Sequence, residues 1–415
     1  MKINPLKGMK DILPKEQRLR DYVQEKILET YCASGFERIS TPILEDIENL
    51  DKSDGGDNLN LIFKLLKRGD KLQTTLNTTT IDEKNLSDMG LRYDLTLPLS
   101  RFFAANRNEL QFPFKVIQSD RVFRAERPQK GRSREFIQCD IDILGDSSCN
   151  AEIELIDVTS RALMNIGFND FCININDRRI LHAMLESMGF PSEALNTTCV
   201  SFDKMDKIGI EGVQKELIEK NMPKEAVKAL VDFVATSSND ELSLDDVASK
   251  CLNSSIAYNL KYIISKVKKV SKGKYKIRYT PSLVRGQGYY TGVVFEIISK
   301  TFSSAVGGGG RYDNMIGKFI GEEIPAVGFS IGFERICEIL IKENYKIPQL
   351  RERCVLLYDD EIDFALVLEM ADELRKDYLV TVLRKAKKMK SMFNMLEKQG
   401  YTKFAMFNDG KLIIK

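Results

Sequence analysis

The feature that most constrains this chain is the run REFIQCDIDIL at 134–144. From Phe136 to Ile143 it alternates strictly. Ile137, Cys139, Ile141 and Ile143 fall on one side, and Phe136, Gln138, Asp140 and Asp142 on the other. Successive side chains of a strand point to opposite faces, so a strand here sends the first set into a core and the second outward. A half-solvated antiparallel sheet shows this pattern, and so does a polar binding face. The strand alone leaves both readings open.

The segment before it shifts the balance. FRAERPQKGRSR at 123–134 gathers Arg124, Arg127, Lys130, Arg132 and Arg134 around Glu126. KVIQSDRVFR reads as the preceding strand, so an antiparallel pair would hold these arginines in a rigid turn. Guanidinium groups keep their charge and match phosphate oxygens in geometry. A phosphate above the turn and a cationic group over Asp142 and Gln138 would then lie side by side. A nucleoside triphosphate beside an amino acid fits that description.

Three other stretches point the same way. LRYDLT at 91–96 puts Asp94 and Thr96 on one face of a short extended segment, offering a second carboxylate to an ammonium group. LVRGQGYYTGVVFE supplies Arg285 beside Gly286 and Gly288, then Tyr289 and Tyr290. Its glycines allow close backbone approach, and its tyrosines add hydroxyls on rigid rings. The glycine spacing is one residue too long for a dinucleotide fingerprint, and VGGGGRYD lacks the Lys-Ser/Thr of a P-loop. In AVGFSIGFERICEILIKE a helix begins near Gly332 with the stripe Phe333, Ile336, Cys337 and Leu340. Arg335 lies off that stripe, where it could clamp a nucleotide with the other arginines.

Composition removes rival chemistries. The formal charge of +2 on 415 residues exerts no global pull on nucleic acid, so a polyanion must be met by local patches. The one histidine, His182, lies in the helix-like RRILHAMLESM, which excludes histidine triads and multi-histidine metal sites; no metal site is expected. The eight cysteines form no C-x-x-C pair and read as reduced thiols. No run has the length of a membrane span, and MKINPLKGMKDILP lacks the apolar core of a signal peptide, so the expected location is cytoplasmic, without a membrane partner.

Along the chain, a helix with Leu19, Tyr22, Val23 and Ile27 runs from Pro14 to about Gly35. FERISTPILED reads as a strand broken at Pro42, suited to an edge or interface. Residues 50–90 look hairpin-like, with turns at Gly55-Gly56 and Gly69-Asp70. Strands and helices alternate to 178, and residues 179–276 read as an inserted helical domain. Strands return over 277–343, and a small α/β unit occupies 344–415, opening with the linker-like NYKIPQLR. Within it LRKAKKMKSMFNMLEKQ is expected to be a basic helix carrying Arg384, Lys385, Lys387, Lys388 and Lys390.

Taken in order, these stretches resemble the class II aminoacyl-tRNA synthetases, and among them the histidyl-tRNA synthetase family. KGMKDILP resembles the N-terminal signature, GFERISTPILED motif 1, FRAERPQKGRSREFIQCDID motif 2 and AVGFSIGFERI motif 3. LVRGQGYYTG and VGGGGRYD are similar to the two histidine motifs, and DKMDKIG to the inserted domain. The resemblance implies an α+β fold: an antiparallel class II sheet flanked by helices, with a helical insertion and a C-terminal α/β anticodon-binding domain. The catalytic domain would comprise 1–178 and 277–343. It further implies histidine activation by ATP with Mg²⁺, transfer to tRNA(His), and a homodimer.

By the same resemblance, Arg124 and Arg285 are catalytic. Asp94, Thr96, Gln138, Asp142, Tyr289 and Tyr290, with Arg124 and Arg285, hold histidine. Arg124, Glu126, Arg132 and Arg335 hold ATP, and Gln129, Arg134, Lys387, Lys388 and Lys390 meet tRNA. Two features depart from the pattern: Gln287-Gly288 stand where the family commonly has Leu-Asp, and the C-terminal unit ends early, at KLIIK. Two alternatives are a non-catalytic regulatory subunit of histidine biosynthesis and an adenylating paralogue with a non-tRNA acceptor. Retention of Arg124, Arg285 and Arg335 favours the enzyme over the regulator.

Overall fold

The structure is a computed structural model that describes residues 3–52, 60–78, 83–127, 133–237, 244, 254–285, 288–299, 305–408 and 411–414. Gln129, Arg132, Gly55-Gly56, Gly286 and Gln287 lie outside them. The chain forms two compact units, Met1–Asn344 and Tyr345–Lys415.

The strands of the first unit are β1 (Glu37–Arg38), β2 (Leu44–Asp46), β3 (Lys64–Leu66), β4 (Ser87–Leu91), β5 (Phe114–Phe123), β6 (Glu135–Leu144), β7 (Phe171–Asp177), β8 (Lys276–Tyr279), β9 (Val293–Ser299), β10 (Gly307–Arg311) and β11 (Ala326–Gly332). Eight of them form one sheet in the order β1-β5-β6-β11-β10-β9-β7-β8. Its centre is antiparallel, but the edge pairs β1–β5 and β7–β8 are parallel, so the sheet is mixed at its margins.

From Cys139 onward the alternation of β6 is realised as a division between core and cavity, whereas Ile137, expected in the core, is only partly buried at the cavity's edge. Cys139, Ile141 and Ile143 are at most 1% exposed, on the face packed by helices Pro14–Ala33 and Asn150–Asn165. Gln138, Asp140 and Asp142 line a cavity on the other face. The half-solvated alternative fails here, because Asp140 and Asp142 are only 6% and 5% exposed.

Helix Pro14–Ala33 begins at a proline whose fixed φ suits a first turn, and it buries Leu19, Val23, Ile27 and Tyr31 at helical spacing. Arg20 on the same helix forks onto Glu334 with two 2.6 Å bonds, and the Ile137 amide donates to Glu334 as well. That network fixes the start of helix Phe333–Lys342, and with it the position of Arg335.

The break at Pro42 is real: β1 ends before it in the large sheet, and β2 follows it in a separate three-stranded sheet, β2-β4-β3. The hairpin reading of 50–90 is corrected. Short helices Ile47–Lys52, Asp70–Leu76 and Glu83–Leu86 interrupt this region, and Gly69 caps a helix rather than turning a hairpin.

Helices between Arg178 and Ser237 enclose a core of their own that includes Leu185, Phe202, Val213, Leu217 and Leu230. Helix Ser254–Ser271, in contrast, packs on helix Asn150–Asn165 and on β7 and β8.

The second unit comprises β12 (Arg353–Tyr358), β13 (Leu379–Arg384), β14 (Lys403–Asn408) and β15 (Lys411–Ile414), in the order β13-β12-β14-β15. Cys354 and Leu356 pack against helix Phe364–Arg375, and Val355 and Leu357 join Leu396 of helix Met389–Lys398. Burial on both faces explains why CVLLY is an unbroken apolar run. The basic helix read over 383–399 is corrected. Arg384 ends β13, Lys387 and Lys388 lie in a loop, and the helix begins only at Met389.

Candidate active site

A cavity of about 870 Å³ opens on the polar face of the large sheet. Its floor is β6, β11, β10 and, from β9, Glu296 and Ile298, and glycines let these strands and their neighbours approach closely. A Cβ on Gly309 would overlap the Gly328 carbonyl oxygen, and one on Gly328 would overlap the Asp142 carboxylate. Within VGGGGRYD, Gly309 and Gly310 thus allow close packing of neighbouring strands, while Gly308 leaves room for the Arg285 guanidinium. The arginine after them is structural: Arg311 forms a buried fork on Glu152, at 2.7 and 2.8 Å.

Of the residues expected at the site, Thr96, Arg124, Glu126, Gln138, Asp142, Arg285, Tyr289, Tyr290 and Arg335 all line this cavity. Asp94 lies just behind the wall, 1% exposed. The extended reading of its segment is corrected, since helix Thr96–Asn106 begins there and Asp94 accepts from the Leu97 amide at 3.3 Å. Arg134 is turned away from the lining and donates to the Glu126 carbonyl at 3.0 Å. Lys387, Lys388 and Lys390 are exposed on the second unit.

One part of the cavity is acidic. Burial pushes Asp142 from the usual carboxylate range up to about 7, against a 2.6 Å hydrogen bond from the Tyr312 hydroxyl that favours the ionised form. Burial likewise raises Asp94 to about 6. Asp140 is held well above its ordinary value by burial and by the Asp142 charge. Tyr289 stands 3.4 Å from the Thr96 hydroxyl and packs on Tyr290 at 4.8 Å between ring centroids. Such a site suits a small ligand that carries cationic N–H donors.

The other part is basic. Arg124 donates to the Tyr93 carbonyl at 3.0 Å and lies over the Phe136 ring at 5.1 Å, so its guanidinium is oriented before any ligand arrives. Arg285 donates to Glu296 at 2.8 Å. Burial acts to lower its pKa, but Tyr290 and Glu296 beside it outweigh that and hold it above its usual value. Arg335 donates to the Ala305 carbonyl. The arginines and the carboxylates singled out around motif 2 thus line one and the same cavity.

Sequence reasoning missed several participants. Tyr312 and Glu296 sit inside the runs VGGGGRYD and LVRGQGYYTGVVFE, and the lone carboxylate in an apolar strand is a usable signal for Glu296. Asp203, Lys204 and Met205 also line the cavity, from the helical segment, and nothing local in DKMDKIG marks them as wall residues.

Comparison with known proteins agrees with this geometry. A family model described as histidyl-tRNA synthetase matches residues 8–336. A histidine–tRNA ligase of Leifsonia xyli subsp. xyli is 40% identical over 97% of this chain and 95% of its own length. The crystal structure of histidyl-tRNA synthetase from Nostoc sp. PCC 7120 matches with a TM-score of 0.77 at 25% identity, covering 100% of this chain and 97% of that one. An ATP phosphoribosyltransferase regulatory subunit/histidyl-tRNA synthetase from Bacillus halodurans C shares the fold, with a TM-score of 0.75 at 19% identity and coverage of 98% and 99%. With its motifs in order and its arginines and carboxylates in one cavity, the chain belongs to the histidyl-tRNA synthetase family.

Proposed function

We propose that this protein activates histidine with ATP to histidyl-adenylate and transfers the histidyl group to the 3′ end of tRNA(His). The observation that carries this reading is the single cavity in which Arg124, Arg285 and Arg335 stand beside Gln138 and Asp142. The histidine carboxylate attacks the α-phosphorus, the bond to the β-phosphate oxygen breaks, and pyrophosphate leaves. A terminal ribose hydroxyl of tRNA then attacks the carbonyl carbon, and AMP leaves. Negative charge grows on the phosphoryl oxygens in the first step, and the fixed guanidinium of Arg285 stabilises it. Arg124 binds the α-phosphate and the histidine carboxylate, Glu126 seats the adenine, and Arg335 clamps the nucleotide. Asp142, Tyr289 and Tyr290 enclose the imidazole, while Gln138, Thr96 and Asp94 receive the ammonium group.

Mg²⁺ enters with ATP as part of the substrate, with phosphate oxygens and water as most of its ligands. Among the described residues no group of three or more His, Cys, Asp or Glu is placed to hold a metal ion. No helix among them is long and apolar enough to cross a membrane. We place the protein in the cytoplasm on the family's example.

A homodimer is supported by exposed apolar side chains around the Pro42 break. Ile43, Leu44 and Leu66 are 41%, 44% and 59% exposed, on or beside strands of the small sheet. A monomer mass independent of concentration in light scattering would count against it. Histidine-dependent ATP–pyrophosphate exchange, followed by charging of purified tRNA, tests the whole reading. No exchange would leave the regulatory subunit, and exchange without charging would leave an adenylating enzyme with another acceptor.

A further inference from the structure

Asp140 stands between Gln138 and Asp142 on the cavity face of β6, and the mechanism above gives it no role. In β11, Ser330 lies directly opposite Asp140 and Gly332 opposite Gln138. The Ser330 side chain hydrogen-bonds to the Asp140 carboxylate. The Gln138 Nε2 donates to Asp140 Oδ2 at 3.1 Å, and reaches Ser330 Oγ only at 3.4 Å. The other end of the amide, Gln138 Oε1, is enclosed and accepts from no described residue.

A carboxamide has two ends of similar size and opposite polarity, and its neighbours decide which end faces a ligand. Burial and the Asp142 charge favour the protonated form of Asp140, but a bound cationic ammonium group favours the ionised form. An ionised carboxylate only accepts, so with ligand present it can hold only the NH₂ end. The oxygen is then left for a ligand that donates. We propose that Asp140 is a positioning residue: by holding the Gln138 NH₂ group, it turns the Gln138 oxygen toward the α-ammonium group of histidine. The proposal rests on the reading of this cavity as the histidine site. A side chain that could donate in place of Asp140 would let the amide turn and set its NH₂ against the ammonium group.

The test measures KM and kcat in pyrophosphate exchange for the wild type, for Asp140→Asn, and for the exchanged pair Gln138→Glu with Asp140→Asn. In Asp140→Asn, the KM for histidine rises about tenfold, as for loss of one hydrogen bond to a charged group. The KM for ATP serves as the internal control and moves less than about twofold on the same scale. In the exchanged pair, the new amide donates to one oxygen of the new carboxylate. The other oxygen then accepts from the ligand whichever way the group turns, so the KM for histidine returns to within about threefold of wild type.

A merely structural role for Asp140 gives the opposite order, two substitutions being worse than one. Wild-type KM in Asp140→Asn, or no recovery in the exchanged pair, overturns the proposal. If Asp140→Asn does not fold, the exchanged pair decides alone: a tenfold loss overturns the proposal, and a KM near wild type upholds it. Absence of histidine-dependent exchange in the wild type would overturn the histidine reading itself, and this inference with it.

Discussion

Asp142 couples substrate recognition to stability, and Asp142→Asn separates the two. Burial raises this carboxyl from 3.8 to about 7 in the folded protein. The folded state therefore holds the proton more tightly than the unfolded chain does. The resulting stabilisation is fully present below pH ~4 and is lost as the pH rises through ~7. Between those limits each step of one in pH removes about 1.4 kcal/mol, so from pH 5 to pH 8 the wild type loses roughly 3 kcal/mol through this one group.

Asparagine has nearly the same shape, and its Oδ1 can still accept from the Tyr312 hydroxyl that now bonds Asp142 at 2.6 Å. It does not ionise. The variant should thus gain about 3 kcal/mol relative to wild type on going from pH 5 to pH 8, or several degrees in Tm. Histidine binding should move the other way. Losing the charged acceptor for the imidazole N–H costs about 2 kcal/mol, roughly thirtyfold in Kd. Thermal unfolding across the pH range and calorimetry with histidine and with ATP supply both readings. If the stability difference does not change with pH, or if histidine and ATP weaken equally, the reasoning about Asp142 is wrong.

Arg285→Ala should lower the exchange rate by about two orders of magnitude or more while histidine affinity changes little, because the guanidinium acts mainly on the transition state; near-wild-type exchange would refute that role. Gly309→Ala should destabilise the first unit by about 1–3 kcal/mol, since its Cβ meets the Gly328 carbonyl oxygen and backbone cannot yield cheaply; an unchanged denaturation midpoint would show that the floor is looser than drawn. Neutralising Lys387, Lys388 and Lys390 together should raise the KM for tRNA and flatten its salt dependence, leaving exchange intact. Charging with an unaltered salt slope would remove those lysines from the tRNA surface.

The strongest local signals survive in the structure for plain reasons. Strict alternation can be satisfied only by a two-faced strand, and β6 separates Cys139 and Ile141 from Gln138 and Asp142 as that period requires. The stripe of helix Pro14–Ala33 and the doubly buried CVLLY strand are legible on the same ground, since period and burial are written in neighbouring residues. Where the signal is weak and polar, the local reading failed. Residues 50–90 hold short helices between strands of a separate small sheet, and the lysines of 385–388 fall in a loop because β13 extends to Arg384.

Only tertiary structure decided what the chemistry-bearing residues meet. Tyr312 reaches Asp142 across 170 positions of chain, and Arg20 reaches Glu334 across 314. Asp94 became a buried helix-start carboxylate behind the wall rather than a free arm, and Asp203 to Met205 came to the cavity from the helical segment. Sequence alone determined which faces are apolar and which motifs recur in order, because those depend on spacing along one strand or helix. Side-chain partners, burial and the resulting changes in pKa depend on strands brought together from distant parts of the chain, and no local period encodes them.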